Sequence, residues 1–294
     1  MTQPGVLCVG RVYCDLVFSG LAHAPLPGEE VYAEKLYLHT GGGAAITAHT
    51  LAKLGRAVEL CASLPAAPFT SLVQSDLEST VGLQYCVECT QASPQITVVL
   101  TGESDRSFVT HRAQQALPEN YIDLLRQCAA NGDVTHVHIG ELATLIDCPE
   151  LIEIAREANW TVSLDCAWDV TAIRSQRAKS LIEKVDVFMP NEVEIGELAN
   201  AGVNEYTSAL TVVKRGETGA MGYSRGQPGV CIDMPATKQE CVDATGAGDA
   251  FNAGFIDAWL QHKPLDECIG AGNRCGEKAV GHFGGIAKQS RRKT

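Results

Sequence analysis

Short apolar runs alternate with helical segments along most of this chain, and the alternation limits the possible fold more than any other feature. Six runs have the length of a buried strand, at residues 6–9, 58–62, 135–139, 160–164, 185–189 and 210–213. Helical segments follow most of them, at residues 41–55, 118–130, 149–158, 175–183, 191–199, 247–261 and 265–280. Strands that alternate with helices form a parallel sheet with right-handed crossovers. The sequence therefore predicts an α/β fold with a central, mostly parallel sheet flanked by helices.

Two β-rich pieces do not fit this alternation, at about residues 15–38 and 96–112. In the second piece, two β-rich runs flank the polar residues 101–105, which is typical of a hairpin. The two pieces are far apart in sequence, and we expect them to form a small sheet over the C-terminal edge of the main sheet, where open α/β folds bind ligands. No repeat or long linker divides the chain, which predicts a single domain over residues 1–294.

Charge and hydropathy exclude several classes of partner. The chain has 23 basic and 35 acidic residues, a net charge of −12, and no basic stripe that would bind a nucleic-acid backbone. No apolar run approaches the length that spans a bilayer. The N-terminal residues lack the basic segment of a signal peptide, which predicts a cytoplasmic protein.

The 12 cysteines are scattered singly, and most lie in apolar runs. This distribution favours small buried side chains over disulfides. One Cys-x-x-Cys pair, Cys86 and Cys89, has no second pair at zinc spacing. His136 and His138 alternate along a predicted strand, where they either bind a metal from one face or simply end the strand.

The stretch from Cys241 to Phe251 carries the strongest chemical signal. Gly246, Ala247 and Gly248 permit a tight turn and leave successive backbone N–H groups uncovered, and a helix follows at once. The N-terminus of a helix with free amides attracts anions. Asp249 at its mouth is a poor phosphate ligand but a suitable general base for a hydroxyl that attacks phosphorus. The alternative is an ordinary helix start with an N-terminal Asp.

A second glycine turn, Gly41 to Gly43, precedes a predicted helix, and Asp15 ends an early β segment. Three glycines permit close approach to a polar ligand or simply form a tight loop. Asn191 and Glu194 either form a capping box or organise hydrated magnesium near phosphates. A P-loop, a serine-hydrolase elbow and a dinucleotide fingerprint are all missing from the sequence.

In combination, these motifs resemble the ribokinase, or PfkB, family of small-molecule kinases. Four segments match the family in order, and together they span most of the chain: 41–55, Asn191 to Glu194, 213–220 and 243–249. The last, Asp-Ala-Thr-Gly-Ala-Gly-Asp, is similar to the C-terminal family signature almost letter for letter. The resemblance implies a ribokinase-like fold in which the two β-rich pieces form a lid.

The resemblance also implies roles in phosphoryl transfer. Asp249 would deprotonate the acceptor, and the amides of Gly246, Ala247 and Gly248 would hold the migrating phosphoryl group of ATP. The nucleotide side would comprise residues that act on Mg²⁺ and the phosphates or that border the adenine, namely Asn191, Glu194, Lys214, Gly216 and Asn273. Glu194 would reach Mg²⁺ through water.

Further family features concern a cation, the acceptor and assembly. Carbonyls at Asp243 and Thr245, with the loop at 284–285, would bind a monovalent cation such as K⁺. Asp15, Gly42 and Gly43 match acceptor contacts, and Glu141 matches a weaker one. Lids of this family often mediate dimers, which implies a homodimer.

Several departures from the family pattern concern the acceptor. Ile46 and Tyr13 stand where sugar-binding members carry Asn, so an unpaired acceptor hydroxyl there would cost about 1–3 kcal/mol. The family's Gly-Asp-Asp-x-x-Gly segment is replaced by residues 64–68. Ribose is therefore a poor candidate. Arg106 and Arg112 would either clamp an anionic acceptor or lie solvated on the lid.

The sequence thus predicts a magnesium- and ATP-dependent kinase that phosphorylates a hydroxyl, most simply a hydroxymethyl, of a sugar or sugar derivative. Two alternatives stay open. Tyr13 could stack on a base, which would suit a nucleoside kinase, and a non-catalytic member of the fold would bind its ligand without turnover.

Overall fold

The computed structural model describes residues 5–88, 95–102, 107–112, 115–239, 241–281 and 284–286. Thirteen strands lie within them: β1 (Gly5–Val9), β2 (Tyr13–Leu21), β3 (Lys35–Gly41), β4 (Val58–Leu64), β5 (Gly82–Glu88), β6 (Ile96–Gly102), β7 (Ser107–His111), β8 (Val134–Ile139), β9 (Thr161–Asp165), β10 (Val187–Met189), β11 (Leu210–Lys214), β12 (Ala220–Ser224) and β13 (Cys231–Met234). Ten α-helices accompany them there: α1 (Gly43–Lys53), α2 (Phe69–Leu77), α3 (Tyr121–Asn131), α4 (Leu142–Asp147), α5 (Glu150–Glu157), α6 (Val170–Ile173), α7 (Ala178–Ile182), α8 (Glu192–Leu198), α9 (Ala247–Trp259) and α10 (Leu265–Ala279).

The nine-stranded central sheet has the order β13-β12-β11-β10-β9-β8-β1-β4-β5. The seven strands β5, β4, β1, β8, β9, β10 and β11 pair in parallel with their neighbours, and β12 and β13 add an antiparallel edge. The chain builds outward in both directions from the neighbouring strands β1 and β8. This reversal is the topological switch point at which open α/β sheets bind ligands.

Two hydrophobic clusters cover the two faces of this sheet. Helices α3 to α8 pack on one face, around residues such as Leu142 and Phe188. Helices α1, α2, α9 and α10 pack on the other, around Leu51 and Phe255. Burial on both faces accounts for the apolar runs of the central strands. The predicted α/β fold with a mostly parallel sheet and flanking helices is confirmed.

The second sheet has the order β3-β2-β6-β7 and is called the lid below. Strands β6 and β7 form the predicted antiparallel hairpin, and β6 joins β2 in parallel across a long stretch of sequence. Side chains of its β2, β6 and β7 strands line the cleft at the C-terminal edge of the main sheet. The two pieces that break the alternation thus form one accessory sheet, as the sequence predicts.

The histidines of β8 are packed within the sheet. His136 bonds to Thr161 Oγ1 and Ser163 Oγ at 2.8 Å each, and His138 Nδ1 lies 2.9 Å from Ser163 Oγ.

The described residues contain no cluster of three or more His, Cys, Asp or Glu side chains that could hold a metal ion. The 11 cysteines within them form no disulfide with one another and six are buried, and Cys89 lies outside the described residues. None of the helices in the described part of the chain is both long and apolar enough to cross a membrane.

Candidate active site

A cleft of about 400 Å³ opens between the lid and the C-terminal ends of β1, β8 and β9. The lid contributes Tyr13, Thr97, Thr110 and Arg112, and the main domain contributes Arg11, Gly43, Glu141, Ala143, Ala167, Trp168 and Asp169. The cleft therefore lies at the switch point of the sheet, with the lid as its roof.

The segment Gly246 to Gly248, called the anion turn below, begins helix α9. Gly246 has a φ of +75°, which permits the tight entry into the helix, and no side chain caps its N-terminus. A Cβ at Gly246 would stand 2.7 Å from the Cα of Gly285, so the loop at 284–285 packs directly on this turn. The first-turn amides of α9 form the kind of site that binds an anion.

Asp249 lies in the first turn of α9 and faces Gly43, the first residue of α1. A Cβ at Gly43 would stand only 2.8 Å from Oδ1 of Asp249, and Gly43 lines the cleft. Although the residue as a whole is only partly buried, its carboxyl group is shielded from solvent. Burial, with Asp165 as the next contributor, raises the pKa of Asp249 to about 7, while Lys214 acts in the opposite direction. A carboxyl group with this pKa can accept a proton near neutral pH.

The glycine turn before α1 brings backbone and carboxylate close together. Gly42 has a φ of +98°, and its missing side chain leaves room for the carbonyl of Arg11. The Asp15 carboxyl group occupies the space that a side chain on Gly41 would need. Asp15 pairs with Thr97 across β2 and β6, and burial raises its pKa to about 7. The structure thus brings together Asp15, Gly42 and Gly43, as the sequence predicts.

Glu141 follows β8 and spans the switch point. Its Oε1 accepts hydrogen bonds from the backbone N–H of Arg11 at 2.8 Å and from Thr144 Oγ1 at 2.6 Å. Arg11 Nε lies 3.9 Å from the same oxygen. Burial raises the pKa of Glu141, and the hydrogen bonds from Thr144 and Arg11 oppose that shift.

Asn191 and Glu194 form a complete capping box at the start of α8. The Asn191 N–H donates to Glu194 Oε2 at 2.8 Å, and the Glu194 N–H donates to Asn191 Oδ1 at 2.9 Å. The structural interpretation of this motif is therefore confirmed. Glu194 also lies close to Asp165 and Lys214, and burial together with Asp165 raises its pKa to about 7.

Lys214, the last residue of β11, reaches a pair of side chains that sequence reasoning missed. Its Nζ lies 2.9 Å from both carboxylate oxygens of Asp165, at the end of β9, and 3.2 Å from Oδ1 of Asn252. Asn252 Nδ2 donates to Asp165 Oδ2 at 2.5 Å. We call these three residues the buried ionic triad. The sequence shows Asp165 directly after a predicted strand, but it does not show that Lys214 and Asn252 are its partners.

The Asp243 carboxylate organises the loop before the anion turn. It accepts hydrogen bonds from the Thr245 N–H at 2.9 Å, from Thr245 Oγ1 at 2.7 Å and from the Gly284 N–H at 2.9 Å. The segments that the sequence linked to a monovalent cation therefore meet. Ile46 is 3% exposed and packs beneath Gly246 and Gly285, outside the lining of the cleft.

Two residues predicted to lie near the nucleotide belong to different elements of the structure. Gly216 has a φ of +56° in a 3₁₀ turn after β11, with open space where a side chain would extend. Asn273 is buried in α10, and its Nδ2 donates to the carbonyls of Met234 and Pro235 at 3.1 and 3.2 Å. Asn273 thus joins α10 to the end of β13.

The mouth of the cleft is crossed by an ion pair between lid and main domain. Arg112, just after β7, pairs with Asp169, which also caps α6 by accepting the Ala172 N–H at 3.0 Å. Beside it, Trp168 is 56% exposed and follows Ala167, which adopts a φ of +49°. Arg106 lies outside the described residues.

Helices α1 and α9, which carry the two glycine turns, are joined directly. Thr47 Oγ1 donates to the backbone carbonyl of Asp249 at 3.2 Å. Arg56, after α1, donates from Nε to Asp257 Oδ1 at 2.8 Å and from Nη2 to the Asp257 carbonyl at 2.9 Å. These bonds fix the two helices relative to each other at both ends of their contact.

Comparison with known proteins agrees with this geometry. A family model described as pfkB family carbohydrate kinase matches residues 3–292. A nucleoside kinase of Methanocaldococcus jannaschii is 24% identical over 280 residues, covering 90% of this chain and 87% of that protein. A ribokinase of Bacillus subtilis is 24% identical over 294 residues, covering 95% and 94%.

Solved structures share the fold. The crystal structure of Methanocaldococcus jannaschii nucleoside kinase superposes with a TM-score of 0.78 at 21% identity, covering 98% of this chain and 95% of that chain. Arabidopsis thaliana ribokinase complexed with ribose and ATP gives a TM-score of 0.78 at 20% identity, covering 97% and 95%. From the match along almost its whole length, the chain belongs to the PfkB family of carbohydrate kinases.

Proposed function

We propose that this protein transfers the γ-phosphoryl group of ATP to a hydroxymethyl group of an uncharged sugar or sugar derivative, with Asp249 as general base. The observation that carries the proposal is the position of Asp249, between the anion turn and the cleft and separated from the cleft only by a glycine. In the step, the acceptor hydroxyl gives its proton to the Asp249 carboxylate. Its oxygen forms a bond to the γ-phosphorus as the bond from that phosphorus to the ADP oxygen breaks.

The anion turn would stabilise the transferred group. The amides of Gly246, Ala247 and Gly248 are fixed in place before the reaction and need no reorganisation as charge moves onto the phosphoryl oxygens. Asp15 and the backbone at Gly42 and Gly43 would hold the other hydroxyl groups of the acceptor. Lys214 and Gly216 would lie along the nucleotide, and Asn273 would hold the helix that borders the adenine.

Mg²⁺ would be held indirectly. Asn191 and Glu194 would hold it through water, with the nucleotide phosphates as its remaining ligands. Bound there, it would neutralise charge on the phosphates. K⁺ would be held by the carbonyls of Asp243 and Thr245, whose loop is organised by the Asp243 side chain.

The charges of the cleft favour an uncharged acceptor. Arg11 lies beside Glu141, and Arg112 pairs with Asp169, so the guanidinium groups that line the described part of the cleft are balanced by carboxylates. An anionic acceptor would have to displace one of these carboxylates.

A nucleoside is the second candidate acceptor, because two aromatic side chains line the cleft. The Trp168 indole is largely exposed, and Tyr13 lies on the lid across from it. Large exposed aromatic faces beside a cleft are suited to stacking on a planar ring. A base between Trp168 and Tyr13 would leave the ribose hydroxymethyl to face Asp249.

The test is a panel of neutral sugars, sugar phosphates, sugar acids and nucleosides, with ADP release as the readout. We expect turnover with a neutral acceptor, and Asp249→Asn should lower kcat by at least 100-fold while ADP still binds. Asp266→Asn, in the exposed first turn of α10, is the matched control and should be active. Undiminished turnover in Asp249→Asn would exclude it as the base. Tight binding of an acceptor without any turnover would favour the non-catalytic alternative.

We also propose that two copies associate through their lids. The support is a group of large apolar side chains exposed on the lid and its connecting loop, namely Leu26, Tyr32, Leu36, Leu38, Phe108 and Val109. Strands β3 and β7 lie at the two edges of the lid sheet, and edge strands can pair with another chain.

A further inference from the structure

The buried ionic triad joins three separate elements at one point. Lys214 ends β11, Asp165 ends β9, and Asn252 lies on α9 one turn after Asp249. The Lys214 and Asp165 side chains are only 12% and 7% exposed, and Asn252 is fully buried. Placing a lysine here costs desolvation energy, which a structural role could avoid by using apolar side chains.

The charges around Lys214 hold it in its ionised form. Burial alone would favour the neutral amine, but Asp165, Glu194 and Asp249 together raise the pKa of Lys214 above its usual range. His138, the other basic group beside Asp165, is kept neutral because burial lowers its pKa to about 4. Lys214 is therefore a fixed cation between the capping-box carboxylate and the base.

The ammonium group also lies against the anion turn. Its Nζ stands 3.5 Å from the position that a Cβ on Gly248 would occupy. An ammonium group has three N–H donors. Its Nζ is equidistant from the two Asp165 oxygens, so one N–H shared between them and one given to Asn252 Oδ1 would leave the third for a group bound at the anion turn.

We propose that Lys214 contacts the phosphoryl group during its transfer, and that Asp165 and Asn252 are positioning residues that hold the ammonium group at the anion turn. The inference rests on the proposed phosphoryl transfer and deepens it. Lys214 keeps its proton throughout, while the acceptor proton goes to Asp249. A fixed cation beside the amides stabilises the negative charge that is spread over the phosphoryl oxygens in the transition state.

The competing explanation is that Lys214 only neutralises Asp165. The two explanations differ for the double variant Lys214→Met/Asp165→Asn, which removes one positive and one negative charge and keeps the net charge of the site. If the lysine is only a counter-ion, the double variant should behave like the natural protein. If the lysine touches the phosphoryl group, the double variant should stay defective.

The experiment measures binding of ADP and of a non-hydrolysable ATP analogue by calorimetry, so it needs no acceptor. In Lys214→Met and in the double variant, we expect the Kd of ADP within about threefold of the natural protein and the Kd of the ATP analogue at least tenfold weaker. Lys179→Met, which removes a surface lysine paired with Glu183, is the control and should change neither value. An ATP-to-ADP affinity ratio that is unchanged in the double variant would overturn the proposal, whether or not Lys214→Met alone folds.

A second readout follows if the panel yields an acceptor. Asn252→Leu should lower kcat by about 10- to 100-fold with little change in the KM of ATP, because it releases Lys214 without removing it. An unchanged kcat in Asn252→Leu would contradict the positioning role of Asn252. If no acceptor in the panel is phosphorylated, the proposed function is overturned, but the nucleotide affinities of the variants still test the contact of Lys214. If the natural protein binds neither ADP nor the ATP analogue, both the proposed function and the role of Lys214 are overturned.

Discussion

A Cβ atom on Gly43 would stand 2.8 Å from Oδ1 of Asp249 and 3.0 Å from the carbonyl oxygen of Gly140. The missing side chain at residue 43 is thus what opens the Asp249 carboxyl group to the cleft. We expect Gly43→Ala to displace this carboxyl group and to lower kcat/KM for the acceptor by at least tenfold, with a small change in Tm. Gly196→Ala, in α8 with open space around it, is the matched control. Equal activity of the two variants would contradict this account.

The pH dependence of turnover should report the shielded carboxyl groups. Because Asp249 must be ionised to accept a proton and its pKa is raised to about 7, kcat/KM should fall about tenfold per pH unit below pH 7. Glu194, with a pKa also near 7, would steepen the fall. A pH series at constant ionic strength measures this. Full activity down to pH 5 would contradict it.

The same carboxyl group should make the protein less stable at high pH. The folded-state pKa of about 7 exceeds the unfolded value of about 3.9, so the folded state binds the proton more tightly. Its contribution to stability is complete below pH 4 and is lost as the pH rises through 7. Asp249→Asn should therefore have a higher Tm than the natural protein at pH 8, with a smaller difference at pH 5. Thermal unfolding at the two pH values tests this, and a difference that shrinks as the pH rises would contradict it.

The ion pair between Arg112 and Asp169 should affect the acceptor more than stability. The Arg112 side chain is 44% exposed, and exposed pairs contribute only about 1 kcal/mol or less to folding. Arg112→Gln should raise the acceptor KM several-fold while Tm and kcat stay nearly constant. Arg156→Gln, which breaks a comparably exposed pair with Asp186 and also two hydrogen bonds to the carbonyls of Trp160 and Lys184, is the control. It should lower Tm without changing KM. A lower Tm with an unchanged acceptor KM in Arg112→Gln would place Arg112 outside acceptor binding.

Association through the lid can be tested at its most exposed strand. Every residue of β7 is exposed, and Phe108 and Val109 are large apolar side chains within it. We expect a dimer by light scattering, and Phe108→Asp with Val109→Asp should give a monomer with unchanged Tm. A protein that is monomeric before substitution would exclude this mode of association.

The central strands were predictable because burial on both faces makes them continuous apolar runs. Helix α2 and strand β5, by contrast, do not appear among the predicted elements. Strand β5 lies at the edge of the sheet and is mostly half-buried or exposed, so it lacks such a run. In α2 the buried residues Thr70, Val73 and Leu77 do lie at helical spacing, and this signal was present in the sequence. The short helices α4 and α6 have too few residues to show a period.

The glycine turns and Asp249 were predictable because their chemistry is contained in a few adjacent residues. The buried ionic triad was not, since Asp165 and Asn252 are 87 positions apart and each is unremarkable by itself. Trp168 also escaped notice, because only the fold brings it to the cleft beside the lid. Ile46 was expected to face the acceptor, but α1 turns it under Gly246 instead.

The direct joining of α1 to α9 separates two tasks within the protein. Thr47 and Arg56 hold the two helices together, so the distance between the glycine turn at Gly43 and the anion turn is set by one rigid pair. The lid strand β3 ends in the glycine turn at Gly41, and Asp15 of β2 packs against it, whereas β6 and β7 contribute to neither turn. Mutations in β6 or β7 can therefore alter which molecule is held without disturbing where its hydroxyl meets the phosphorus, and a kinase built in this way can change its substrate during evolution while its chemistry stays constant.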